Sequence, residues 1–142
     1  MDMNFSYPFR VESNEEGGYI ASFRDVPEAL TEAASIDELK EMALDALITA
    51  IDFYIEDRRP LPLPSAPLDG EMVVTLPPSV VSKVLLLNVM IQSRIRPSDL
   101  AKLMGVSRQE VNRVIDLHHT TKIDTVGKAL QAMGKRLELT IR

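Results

Sequence analysis

The chain has 142 residues, 45% hydrophobic and 26% charged, which suits one or two small domains with real cores, and nothing in it looks disordered by composition. It contains no cysteine, so a disulfide framework, cysteine-ligated metal and thiol chemistry are excluded, and a reducing cytoplasm is the natural compartment. The net charge of -5 hides a division: residues 1–76 hold 16 acids against 5 bases, residues 77–142 hold 5 acids against 11 bases. The first part suits a basic partner and would repel DNA; the second attracts a phosphate backbone.

The opening ten residues carry an acid and no apolar run, so no signal peptide is expected. Residues 5–11 and 19–23 read as two strands around the turn signal Asn14-Glu15-Glu16-Gly17-Gly18, a β-hairpin. Pro27 ends the hairpin, and residues 29–33 suit a short third strand. Ser35 with Glu38 forms a capping box for a long helix. Ile36, Leu39, Ala43, Ala46, Leu47, Ala50 and Tyr54 make its inner stripe, and Asp37, Glu38, Glu41, Asp45, Asp52 and Glu56 its wet face. The expected packing is this helix on a small antiparallel sheet.

The helix ends near Asp57, and four prolines follow in eight residues (60, 62, 64 and 67). Such a passage can be a linker or a signalling ligand. Because residues 71–76 read as one more strand, an ordered loop returning to the sheet is preferred, with the domain boundary at Pro77-Pro78. Residues 1–76 are then one domain and residues 77–142 the other. Residues 79–92 read as an apolar helix; its most apolar part, residues 80–91, is broken by Ser82, Lys83 and Asn88 and is too short to span a bilayer. A helix over 123–133 ends at Gly134, and residues 137–141 alternate like a terminal strand, which would have to pair with a second chain or with the first domain.

Residues 97–116 read as two short helices meeting at Gly105. Leu100, Ala101 and Leu103 face inward on the first; Ser107 and Glu110 cap the second, which buries Val111, Val114 and Ile115. The opposite face carries Arg108, Gln109, Asn112 and Arg113, side chains that reach base edges and phosphates in a major groove. A plain αα-hairpin can also have a glycine turn. The coincidence of small Ala101, turn glycine, capping box and polar face favours DNA binding, with Lys102 a phosphate candidate. Arg96, at the first cap position, is a poor cap, although Pro97 suits the first helical position.

Catalytic chemistry finds little support. His118 and His119 are adjacent and point in different directions, a poor chelating pair. The acids of the long helix fall on its wet face, and no phosphate loop or nucleophile motif is present. No catalytic residue, metal or cofactor is assigned. The rival readings are a ligand-responsive transcription regulator and a metal-dependent nuclease.

Several segments resemble a known family. Residues 19–23 after the Glu-Gly-Gly turn, Asp25-Val26-Pro27-Glu28-Ala29-Leu30-Thr31, the helix ending Asp52-Phe53-Tyr54, and Pro60-Leu61-Pro62-Leu63-Pro64-Ser65 look like the HicB antitoxins of HicA–HicB toxin–antitoxin modules. The second half, from Leu85-Leu86-Leu87-Asn88 through Leu117-His118-His119 and Lys122-Ile123-Asp124, resembles the subgroup that ends in an Xre-type, lambda-repressor-like helix-turn-helix. The resemblance implies an α+β fold: a degraded ribonuclease-H-like βββαβ domain without activity, then an all-α DNA-binding domain. It implies masking of HicA, a small basic ribonuclease toxin that cuts messenger RNA, and repression of the shared operon.

The expectation is therefore a cytoplasmic antitoxin and autorepressor with no membrane partner. As a homodimer, with pairing into tetramers left open, it would insert the 107–115 helix into two half-sites of double-stranded operator DNA. Arg108, Gln109, Asn112, Arg113 and Lys102 would contact DNA; Asp25, Glu28, Glu56 and Asp57 would face the toxin.

Overall fold

The structure, a computed structural model, describes residues 5–142. The chain divides into two units: the first runs to Asp57 and resumes over Leu61–Pro77, and the second takes Arg58–Pro60 and Pro78–Arg142. Among the described residues there are four strands and five helices, a mixed α+β composition.

In the first unit, β1 (Ser6–Ser13) and β2 (Tyr19–Ser22) form the hairpin, with Arg10 opposite Ser22 and Ser13 opposite Tyr19. Asn14 closes the turn: its backbone N–H donates to the Gly18 carbonyl at 2.9 Å, and its side-chain oxygen accepts from the N–H of Glu16 (3.0 Å) and Gly18 (2.7 Å). Gly17 stands at φ +84°, and a Cβ on Gly18 would lie 2.7 Å from the Ala33 carbonyl, so neither position accepts a side chain. β3 (Leu30–Ala33) pairs with β2 and β4 (Met72–Thr75) with β1, giving an antiparallel sheet in the order β3-β2-β1-β4. Pro8 is tolerated because β1 pairs with β4 over residues 6–9 and with β2 over residues 10–13, so no β2 residue pairs opposite the missing N–H.

The long helix α1 (Ile36–Glu56) starts at Ser35, whose hydroxyl accepts from the Glu38 N–H at 3.2 Å. Leu39, Ala43, Leu47, Ala50, Ile51 and Tyr54 are buried against the sheet. Tyr7, Phe9 and Ala21 supply the facing layer, with the Phe9 and Phe23 rings 5.5 Å apart. Each large apolar side chain so buried contributes about 1.5–3 kcal/mol, which outweighs the helix's intrinsic propensity.

The proline-rich return is an ordered loop. Prolines have no N–H, so its anchors use what remains: the Tyr7 hydroxyl donates to the Pro62 carbonyl at 2.7 Å, and Ser65 donates from N–H and hydroxyl to the Asp25 carboxylate at 2.8 and 2.6 Å. Arg24 reaches the Ala66 carbonyl and grips Glu71 at 3.1 Å, while Glu71 also accepts from the Leu68 N–H at 2.7 Å. The Arg24 hydrogen bond, then the Leu68 amide, hold the Glu71 carboxyl below its ordinary value. Burial, with the charge of Asp25 beside it, raises the Tyr7 phenol and keeps it a donor.

The second unit is helical: α2 (Pro78–Gln92), α3 (Pro97–Met104), α4 (Arg108–Ile115) and α5 (Ile123–Ala132). α2 buries Val80, Val84, Leu86, Leu87 and Met90 and packs on α4 and α5, while α3 packs on α4 and α5. Arg96 makes no side-chain cap; instead the Asp99 carboxylate reaches back to the Arg96 N–H at 3.0 Å, which secures the start of α3. Gly105, at φ +69°, ends α3, and the Ser107 hydroxyl accepts from the Glu110 N–H at 3.1 Å to start α4.

Lys83, an apparent interruption of an apolar helix, is 3% exposed. Its ammonium donates to the carbonyls of Asp116 and His119, both at 2.5 Å, to the Thr121 hydroxyl at 2.9 Å and, at 3.4 Å, to the Arg113 carbonyl. It thus caps the C-terminal end of α4 and folds the following loop around one charge. Burial lowers the Lys83 ammonium below its ordinary value, and the Asp116 carboxylate opposes that shift.

The terminal strand expected over 137–141 does not form: residues 135–142 have no regular structure, and Leu139 and Ile141 are 78% and 99% exposed. A strand needs a ladder partner, and a helical unit supplies none. The third strand starts at Leu30 rather than Ala29, because Ala29 is held in a turn by its N–H to the Val26 carbonyl at 2.9 Å.

Two predictions follow from these anchors. Lys83→Met, which keeps volume and removes the ammonium, will destabilise the second unit by about 2–4 kcal/mol in denaturant titration, because several carbonyls lose their buried partner. The Glu71 contribution is complete above its ordinary 4.5 and is lost as pH falls through its lower folded value. Hydrogen exchange at Leu68, whose N–H donates to the Glu71 carboxylate, should therefore lose protection below pH 4.5 after correction for intrinsic rates, and Glu71→Gln should remove that pH dependence.

Candidate functional site

The polar face expected on residues 107–115 is present on α4. Val111 and Val114 are buried, which turns Arg108, Gln109, Asn112 and Arg113 outward, all four exposed. Among the described residues their side chains form no hydrogen bond or ion pair, and neither does exposed Lys102 on α3. Spacing of i, i+1, i+4 and i+5 places the four on one side of the helix. Two guanidinium groups offer bidentate donors for phosphate and guanine edges, and two carboxamide side chains offer a paired donor and acceptor for adenine edges, without first breaking an internal contact.

The helix that presents them is fixed at both ends, by Ser107 at its start and by Lys83 at its finish. Lys83 is the residue that sequence reasoning missed. Its acceptors lie 30 to 38 positions away, beyond any local pattern. A lysine inside an otherwise apolar helix was the one available signal.

In the first unit the acids expected to face a partner do different things. Asp25 has an 11% exposed side chain and is engaged by Ser65, so it acts through the proline-rich loop. Glu28 accepts from the Tyr54 hydroxyl at 2.8 Å, which brings it to the last turns of α1. Glu56 and Asp57 are exposed there, with the Asp57 N–H bonded to the Phe53 carbonyl at 3.0 Å. Glu28 thus lies beside the last turns of α1 that carry Glu56 and Asp57, while Asp25 and Tyr54 both lie close to the Tyr7 phenol.

The acids do not build a metal site: among the described residues no group of three or more His, Asp or Glu side chains is placed to hold an ion. A hollow of about 520 Å³ beside the 68–71 turn is lined by Arg24 and Glu71, whose charges are spent on each other. His118 and His119 are exposed, and the His119 ring nitrogen lies 3.2 Å from the Thr121 hydroxyl that also meets Lys83. No helix among the described residues is long and apolar enough to cross a membrane.

Residues 6–85 match the family described as HicB_like antitoxin of bacterial toxin-antitoxin system. Antitoxin HicB 1 of Photorhabdus laumondii is 53% identical over 138 residues, 97% of this chain and 88% of that protein. Antitoxin HicB of Escherichia coli K12 is 47% identical over 135 residues, 95% and 98% of the two chains, and Antitoxin HicB of Pseudomonas fluorescens is 33% identical over 137 residues, 95% and 94%. Likeness at this level along nearly the whole length, helical unit included, means that the chain belongs to the HicB-like antitoxin family of bacterial toxin–antitoxin systems.

Proposed function

We propose that this chain masks a HicA-type messenger-RNA-cleaving toxin with its first unit and represses its own operon with its second, in the cytoplasm and without catalysis of its own. The first unit, on this reading, is a degraded ribonuclease-H-like domain that works by steric and electrostatic occlusion. Its excess of acids matches a small basic ribonuclease, and Glu28, Glu56 and Asp57 are its toxin-facing candidates, with Asp25 holding the adjoining loop in place.

The α3–α4 pair is then an Xre-type helix-turn-helix whose second helix enters the major groove of operator DNA. The single observation that carries this half is the exposed, internally unpartnered set Arg108, Gln109, Asn112 and Arg113 on a helix fixed at both ends. Arg108 and Gln109, in the leading turn, read bases; Asn112 and Arg113 read bases or clamp phosphate; Lys102 binds phosphate. A homodimer presents two such helices to a palindromic operator.

The two activities separate by mutation. Arg108→Ala with Gln109→Ala should weaken operator binding about a hundredfold, since each bidentate base contact carries about 1–3 kcal/mol, while toxin neutralisation stays intact. Lys102→Ala should weaken binding to all sequences alike and reduce the salt slope by about one unit. A gel shift unchanged in the double variant removes the assignment of α4 as the reading helix.

A further inference from the structure

Beside the row of α1 that is buried against the sheet, a second face carries two exposed large apolar side chains, Met42 and Phe53. Met42, Asp45, Thr49 and Phe53 recur at helical spacing beside the buried stripe, and with Leu30 of β3 they line an open groove of about 270 Å³. Leu30, Met42 and Phe53 are 64%, 38% and 49% exposed, an unusual concentration of large apolar side chains for one face of so small a unit. The charged residues lining the groove are Glu28 and Asp45, both acids, and no base lines it. β3 is the last strand on its side of the sheet among the described residues, so its outer backbone groups face away from any ladder partner.

Resting on the proposal that the first unit binds a toxin, we infer that this groove is where the toxin docks. Its occupant is a protein surface that presents an apolar side chain flanked by Lys or Arg. Three properties select that occupant. The groove is open to solvent rather than enclosed, so it cannot surround a small molecule on most sides, which disfavours a ligand sensor. Its lining includes the apolar Leu30 and Met42 and the aromatic Phe53, the residue types enriched at interface centres, and its charged residues are of one sign. The neighbouring strand edge offers main-chain hydrogen bonds that only a polypeptide can use. The contact centre thus moves from the acids alone to Phe53 and Met42, with Glu28 and Asp45 setting charge complementarity.

The test uses the full chain and a HicA-type toxin inactivated by mutation, with affinity measured by calorimetry and operator binding measured in parallel. Phe53→Glu and Asp45→Arg should each weaken toxin binding at least about tenfold while leaving operator binding unchanged, as expected for a residue at an interface centre and a charge at its rim. Val73→Glu, on β4 at the opposite edge of the sheet, should bind the toxin like the unaltered chain. If the unaltered chain itself fails to bind the toxin, the masking proposal fails. If it binds and Phe53→Glu and Asp45→Arg bind equally well, the groove is wrong and the masking proposal stands. Should Phe53→Glu lose its fold, Asp45→Arg decides alone, because Asp45 is exposed and its charge reversal leaves the core untouched. Equal loss in Val73→Glu would also overturn the assignment.

Discussion

The ammonium of Lys83 is enclosed by the carbonyls of Asp116, His119 and Arg113 and by the Thr121 hydroxyl, and the position of α4 depends on that enclosure. Taking an ammonium out of water costs several kcal/mol even after relaxation. Against this stand three short charge-assisted hydrogen bonds, each about 1.5–3 kcal/mol, and the attraction of a cation for a helix C-terminus. The net balance is small, but removing the ammonium costs more than that balance because its carbonyl acceptors are left unpaired. What the arrangement adds is definition: one point charge dictates where α4 ends and how the 116–121 loop closes over α2, and an apolar side chain at position 83 could dictate neither. The Asp116 carboxylate helps at one remove, accepting from the His118 N–H at 2.9 Å and so shaping the same loop.

The first unit solves a related problem with different chemistry. A proline-rich passage cannot be held by a regular ladder, since most of its residues either lack an N–H or face outward. It is fixed at isolated points by side chains from the sheet and the turn after it: Tyr7, Arg24 and Asp25. Arg24 and Asp25 are neighbours in sequence, so one short segment after β2 grips the loop with both signs of charge. The arrangement also fixes the start of β4, because Glu71, the residue before that strand, is the carboxylate that Arg24 holds.

How much of this could be read from the chain depends on the range of each interaction. Helix boundaries were legible at Ser35 with Glu38, at Ser107 with Glu110 and at Gly105, because a cap and its donor lie within four residues. The hairpin turn was legible for the same reason. The start of α3 was only half legible: Arg96 does not cap it, but Asp99, three residues on, secures it from the other direction. Asp25 and Lys83 were not legible, since their partners lie 40 and 30 to 38 positions away and are largely backbone groups that no pattern of residue types advertises. The alternation of residues 137–141 is a true β pattern, yet a pattern states only what a segment would do beside a partner strand.

The two candidate surfaces differ in a way that follows from what each would touch. DNA presents base edges at fixed spacing, so a reading helix has to be placed to within a fraction of an ångström, and α4 is capped at one end by Ser107 and at the other by a buried charge. A protein partner can adjust its own side chains to an apolar groove, so the stripe of Met42 and Phe53 needs only a long, well-packed helix beneath it. α1 supplies that through its buried row from Leu39 to Tyr54. The same helix thus presents two faces: a buried row that holds the sheet, and beside it the exposed Met42 and Phe53.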